Sequence, residues 1–282
     1  MFKKELSIMA GKIIFITGAS SGMGYAATKL FALRDWQVYA GARRTEKIPT
    51  GANIHPLHLD VTDKASRNDF ATQALDDAGG VDVLINNAGY GEFGPLEEVS
   101  EENARKQLET NLLGASELTK LVLPTMRFQR SGRIINISSI GGEMYSPLGG
   151  WYYVTKHALN VWSDTLDTEV RQFGIRSIIV EPGGTASSWT EIAMANAEKN
   201  LKPNSPYLKL TNGTKALLKR MGSQSSATSE DLAEVFYRAA TDAKPKYRYY
   251  HALGDNFIGH LARVHQHLFK HVMAFAVDRL TK

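Results

Sequence analysis

The sequence predicts an α/β fold, a doubly wound parallel sheet with helices on both faces, built as one domain. Three observations predict it. Short, continuous apolar runs recur along the chain, as expected of strands covered on both faces. Stretches of helical spacing separate them, so strand and helix alternate. A glycine-rich turn, TGASSGMG, joins the first apolar run to the first helical stretch.

In chain order, IIFIT at 13–17 is the first strand, and YAATKLFALRD continues the helix that the turn opens. QVYAGA at 37–42 is a second strand, ended by Arg43 and Arg44. A linker carrying Pro49 and Pro56 leads to a third strand at 58–60, HLD, and a helix over 64–78. VDVLINNAG at 81–89 is the fourth strand, and 101–128 reads as one helix. RIINISS at 133–139, a helix over 152–172 and RSIIVEP at 176–182 complete the alternation. Residues 183–229 break the rhythm with GGTASSWT, a lysine-containing helical stretch, KPNSP and GSQSSATS, which suits a substrate loop or lid over the carboxyl edge of the sheet. A helical extension over 255–282 closes the single domain, which spans 1–282.

The 282 residues suffice for one large core. With 43% hydrophobic and 22% charged residues, the composition is that of a globular protein. There is no cysteine, which excludes disulfides and thiolate chemistry and agrees with a reducing, cytoplasmic setting. The N-terminal lysines are followed by a glycine-rich turn and not by a cleavage site, so no signal peptide is expected. No apolar run is long enough to span a bilayer. The net charge of +4 comes from dispersed residues, which argues against nucleic acid and leaves a phosphate-bearing small molecule as the better partner.

Gly18, Gly22 and Gly24 stand where a strand meets a helix. Glycines allow close backbone approach there, and the unpaired N–H groups of the helix favour phosphate oxygens. An NAD site would place a carboxylate after the second strand, but VYAGARR has Ala42 and then Arg43. A guanidinium suits the 2'-phosphate of NADP, so NADP(H) is expected over NAD(H), with Arg44 a second clamp or a solvated neighbour. Ser21 could add a hydrogen bond to phosphate. Asp60 and Val61 could meet the adenine, and the NNAG segment at 86–89 could meet a ribose.

In PLGGWYYVTKHAL, Tyr152 lies four residues before Lys156 and Tyr153 three, so either phenol could share a helix face with the ammonium. Spacing alone leaves both open. The ordered motifs resemble the classical short-chain dehydrogenase/reductase family: TGASSGMG matches T-G-x-x-x-G-x-G, NNAG matches N-N-A-G, and YYVTK matches Y-x-x-x-K. The resemblance is specific over roughly 10–185 and implies a Rossmann sheet. It places the family serine at Ser139, thirteen residues before Tyr152, and so selects Tyr152 over Tyr153. It implies a catalytic set of Asn111, Ser139, Tyr152 and Lys156. Ser20, Met23, Asn87, Ala88, Gly89, Pro182, Gly183 and Thr185 join the cofactor contacts it implies. Tyr152 would serve as general acid or base, Ser139 would polarise the carbonyl oxygen, and Lys156 would favour the phenolate and hold the ribose. Asn111 would keep a water-linked proton path to Lys156.

Met144, Tyr145, Leu148 and Trp151, with Trp189, Met194, Tyr207 and Leu208, could line an apolar pocket. The expected activity is hydride transfer between the nicotinamide and a hydrophobic ketone, aldehyde or secondary alcohol, as in carbonyl reductases and hydroxysteroid or retinol dehydrogenase-like members. The alternative is an NADP-binding sensor without turnover. His260, His265, His267 and His271 punctuate the tail, but no carboxylate accompanies them within FIGHLARVHQHLFKHVMAFAV and no metal site is expected. The apolar face of the tail could pack on the domain, join a second subunit or touch a membrane. The resemblance favours a homodimer or homotetramer.

Overall fold

The computed structural model describes residues 11–185, 189–222 and 227–281. The sheet strands are β1 (Ile13–Thr17), β2 (Gln37–Ala42), β3 (Ile54–His58), β4 (Val83–Asn86), β5 (Gly132–Ile137), β6 (Ile175–Val180) and β7 (Arg248–Tyr249). They run β3-β2-β1-β4-β5-β6-β7, and every pairing is parallel. The order reverses between β1 and β4, the crevice at which doubly wound sheets bind ligands.

Helices α1 (Gly22–Leu33), α2 (Lys64–Ala78), α3 (Glu101–Leu108), α4 (Gly114–Gln129) and α5 (Gly150–Val170) connect the strands. They are followed by α6 (Trp189–Asn200), α7 (Leu208–Gly222), α8 (Ser229–Thr241), α9 (Leu253–Val264) and α10 (Gln266–Thr281). Alternate strand residues point to opposite faces. Ile14, Ile16, Val38 and Ile135 therefore pack under Phe31 of α1 and Phe236 of α8, while Phe15, Tyr39, Leu84 and Ile134 meet Phe70, Leu118 and Leu166 of α2, α4 and α5.

The middle of the sheet also carries a buried polar ladder. The Asn86 amide donates to Thr119 Oγ1 at 3.0 Å and to Asn136 Oδ1 at 2.9 Å. Asn136 in turn donates to Ser163 Oγ at 2.9 Å and Ser177 Oγ at 3.2 Å.

Four details depart from the expectations. The third strand lies at Ile54–His58, before Asp60, and contains Pro56. This is the edge of the sheet, where a residue without an N–H is tolerated. The predicted helix over 101–128 is interrupted by a π-helical turn, Glu109–Leu113. The predicted excursion contains α7 as a second helix beside the expected lysine-containing one, α6, with 186–188 and 223–226 outside the described residues. The C-terminal extension is two helices that break at His265.

Candidate active site

The carboxyl ends of β1, β4, β5 and β6 converge on one rim. After β1, Gly18 turns with φ +70, and a Cβ there would come within 2.9 Å of Ala88 Cα. A Cβ on Gly24 would come within 2.4 Å of Gly18 O, so helix and turn approach as only glycine permits. Thr17 locks this arrangement: its buried hydroxyl accepts from Asn87 N at 3.0 Å and Ala88 N at 2.9 Å. The Asn87 amide returns a bond to Thr17 O at 2.9 Å.

This turn fits a pyrophosphate. Ser21 is the N-cap of α1 yet makes no side-chain cap bond, and no acid occupies the first turn. A Cβ on Gly22 would meet nothing within 4 Å, so the helix N-terminus faces open space with its N–H groups and dipole unopposed. Ser20 and Met23 flank the same turn. Arg43 and Arg44 are exposed beyond β2. Burial raises the Asp60 carboxyl, but bonds from Thr62 N and Thr62 Oγ1, with the charges of Arg43 and His58, hold it below its usual range. Asp60 thus stays an anion beside Arg43. Val61 is buried, with its carbonyl 2.7 Å from where a Cβ on Gly114 would stand.

Tyr152, Lys156, Ser139 and Asn111 come together at the neighbouring part of the rim. Tyr152 and Lys156 lie one turn apart on α5 and are both buried. Lys156 Nζ donates to Ile137 O at 2.7 Å and lies 5.8 Å from the Tyr152 ring centroid. Burial lowers its pKa to about 8. Burial raises that of the Tyr152 phenol, with Ser139, as a hydrogen-bond partner, opposing the rise. Ser139 accepts from Gly141 N at 3.0 Å and reaches Pro182 O at 3.4 Å, which links the β5 and β6 ends. Asn111 sits in the π-helical turn, a distortion frequent at functional sites. Its Oδ1 accepts from Tyr90 N at 3.0 Å, and its Nδ2 donates to Tyr90 O at 2.9 Å and Thr155 Oγ1 at 3.2 Å. A Cβ on Gly89 would stand 3.2 Å from Asn111 Oδ1 and 3.8 Å from Lys156 Nζ, so both groups border that glycine.

The short chain dehydrogenase family model matches residues 12–200. The chain belongs to that family. It is accordingly an NAD(P)-dependent oxidoreductase. A 3-ketodihydrosphingosine reductase of Bacteroides thetaiotaomicron is 40% identical over 184 residues, which cover 65% of this chain and 67% of the relative. An uncharacterised oxidoreductase of Bacillus subtilis is 34% identical, covering 83% of this chain and 86% of its own. The crystal structure of a short-chain dehydrogenase from Streptomyces avermitilis superposes with a TM-score of 0.79 at 30% identity, covering 93% of this chain and 96% of its own.

Around the candidate tyrosine, this short-chain dehydrogenase builds an aromatic box. Trp189, at the start of α6, lies 5.0 Å from the Tyr152 ring, and Phe93 lies 5.6 Å from Trp189 and 5.9 Å from Tyr152. Leu148, Ala193, Met194 and Ala197 complete this cluster. Polar bonds hold α6 over it: Asn196 Nδ2 donates to Gly91 O at 2.9 Å, and Asn200 Nδ2 to Glu92 Oε1 at 2.7 Å and Phe93 O at 2.8 Å. Tyr153 is a packing residue whose hydroxyl lies 2.7 Å from Ser146 Oγ.

The other expected substrate contacts are dispersed. Met144 is half-buried behind the 140–142 turn, and Trp151 is half-buried in the first turn of α5. Tyr145 packs edge-on against Phe269 of α10, at 5.2 Å. Leu208 is exposed, and Tyr207 bonds Glu97. At the β6 end Pro182 is buried, Thr185 Oγ1 reaches Gly183 O at 3.3 Å, and the Asp255 carboxylate of α9 lies against Gly183, where a Cβ would displace it.

Sequence reasoning passed over Thr17, Phe93 and the ionic support beneath the rim. Thr17 was visible as the first letter of TGASSGMG; Phe93 carried no signal beyond an aromatic near glycines. Beneath the rim, Arg248 spans Glu143 at 3.1 Å and Asp164 at 2.8 Å, next to the buried Glu181, whose pKa burial raises to about 7.

Proposed function

We propose that this enzyme reduces hydrophobic ketones or aldehydes with NADPH, and that Tyr152 gives the proton. The observation that carries this reading is the enclosure of Tyr152 by Phe93, Leu148, Met194 and Trp189, with Lys156 and Ser139 beside it. When bound, the nicotinamide supplies the hydride that reaches the carbonyl carbon, or takes it back from the alcohol.

The remaining work falls to side chains. Negative charge develops on the carbonyl oxygen as its carbon is reduced, and donors aimed at that oxygen lower the barrier. The Ser139 hydroxyl bonds this oxygen and Tyr152 transfers its phenolic proton to it, which leaves an alcohol and a phenolate. Lys156, a cation below about pH 8, stabilises the phenolate and binds the ribose. Burial keeps the resting Tyr152 phenol protonated, the form that can give a proton, and the Ser139 bond opposes the rise that would weaken it as an acid. Asn111 positions the chain at Tyr90 beside Gly89 and Lys156.

Gly18, Gly22, Gly24, Ser20 and Ser21 hold the pyrophosphate, Arg43 the 2'-phosphate, Asp60 and Val61 the adenine, and Asn87, Ala88 and Gly89 a ribose. Pro182, Gly183 and Thr185 line the nicotinamide end. The exposed Arg43 without a carboxylate in its place supports NADP(H) over NAD(H). The similarity to a 3-ketodihydrosphingosine reductase supports a ketone on a long apolar chain as substrate.

The test is NADPH oxidation with a series of ketones and aldehydes of increasing chain length, for the wild type and Tyr152→Phe. Turnover that rises with chain length and falls roughly 100- to 10,000-fold in the variant, with NADPH binding retained, is the expected result. Equal turnover by the variant would refute the assignment of Tyr152.

A further inference from the structure

We propose that α9 and α10 form a docking surface for an anionic lipid bilayer, lying flat on it without crossing. Six large apolar side chains of this helix pair are exposed: Phe257, Ile258, Val264, Leu268, Val272 and Phe275. On α10 the spacing of Leu268, Val272 and Phe275 places them on one face, and Arg279 continues that face with its guanidinium 5.0 Å from the Phe275 ring centroid. On α9, Phe257 and Val264 share a face with His260. Among the described residues no helix is long and apolar enough to cross a membrane. An apolar stripe edged by cations is instead the pattern of a helix seated at the head-group level.

Charge selects the occupant. Arg263, Lys270 and Arg279 are exposed on the helix pair against Asp278, and His267 and His271 lie beside the apolar stripe. A two-fold contact with a second copy would set these cations against themselves, whereas a negatively charged leaflet attracts them. A second feature lies at the same place. A cavity of about 520 Å³ opens between α9, α10, the 142–145 segment and α5, and its wall includes Arg263, Lys270, His157 and His267 beside Tyr145 and Phe269. Glu143 also lines it but is occupied by Arg248 at 3.1 Å and Arg263 at 3.4 Å. The cationic side chains of this wall suit an anionic head group, with Tyr145 and Phe269 as apolar surface beside them.

The inference stands apart from the proposed reaction, so its test uses no turnover. The full chain is floated with vesicles of phosphatidylcholine alone and of phosphatidylcholine with about 30 mol% phosphatidylglycerol, at low and high salt. The expected result is cofloatation with the anionic vesicles, released by salt, and weak association with the neutral ones. Lys270→Glu should weaken it by at least roughly fivefold, the share of one cation near such a surface. The double variant Leu268→Glu/Phe275→Glu, changed only at exposed positions, should abolish it with an unchanged melting temperature. No flotation, equal flotation of the double variant, or a dimer in light scattering that the double variant splits without any vesicle binding would each overturn the proposal.

Discussion

Lys156 offers a direct test of the site because its environment sets a measurable proton affinity. The ammonium is buried and bonded to the Ile137 carbonyl, and burial brings its pKa from 10.5 to about 8. Below about pH 8 both folded and unfolded chains carry the proton, and folding bears the full cost of burying the cation. Between about pH 8 and 10.5 the unfolded lysine keeps a proton that the folded one has released, so stability rises with pH across that window. That lowering corresponds to about 3 kcal/mol. The assay is urea unfolding of the wild type and Lys156→Met at about pH 7.5 and about pH 10. Surface groups and most tyrosines are common to both proteins and cancel in the difference. Lys156→Met should be the more stable at the lower pH, and the gap should move by about 2–3 kcal/mol toward the wild type at the higher. A gap constant within about 0.5 kcal/mol would show that the lysine is not shifted and would refute the argument from burial.

Arg43→Ala should weaken NADPH binding roughly ten- to hundredfold, as loss of a charge-assisted contact does, and leave NADH binding unchanged in a fluorescence titration. An equal loss for both cofactors would contradict a 2'-phosphate contact. Thr17→Val leaves Asn87 N and Ala88 N without their acceptor and should cost about 2–4 kcal/mol in denaturant unfolding. A cost under about 1 kcal/mol would mean that the turn is held by other contacts. Trp189→Ala opens the box over Tyr152 and should shift the kcat/KM preference between long and short ketones by about tenfold, measured with matched substrate pairs. An unchanged ratio would remove Trp189 from the substrate's path.

Most of the fold was legible because its inner strands are continuous apolar runs, which leave little room for another reading. IIFIT and QVYAGA match β1 and β2 to the residue. The edges were harder. β3 is IHPLH, with proline and alternating exposure, and its pairing with β2 rather than its own sequence makes it a strand. β7 is two residues long, too short for a periodicity. The π-helical turn at Asn111 keeps helical spacing within one residue, so 101–128 read as one helix. In the site, Ser139 follows β5 and comes together with Tyr152 and Lys156 of α5 and Asn111 of the π-helical turn. What surrounds them was not legible: Phe93 and Trp189 are nearly a hundred positions apart, and the path of α6 brings Trp189 to Tyr152 beside Phe93. Tyr145 shows the converse, an aromatic near Tyr152 in sequence that leans on Phe269 instead.

The Asn86 and Asn136 ladder has a consequence for the chemistry above it. A slip by two residues would keep the same side chains on each face of an apolar strand, but amide and hydroxyl partners tolerate no such slip without losing their bonds. Asn86 pairs with Asn136 across β4 and β5, and Ser177 ties in β6. The strand ends that follow are therefore held level: Asn87 one residue on, Ser139 three residues on, and Pro182 five residues beyond Ser177. The loops of the rim can change length and composition to suit another molecule, while the level at which Asn87, Ser139 and Pro182 leave their strands is fixed from inside the sheet.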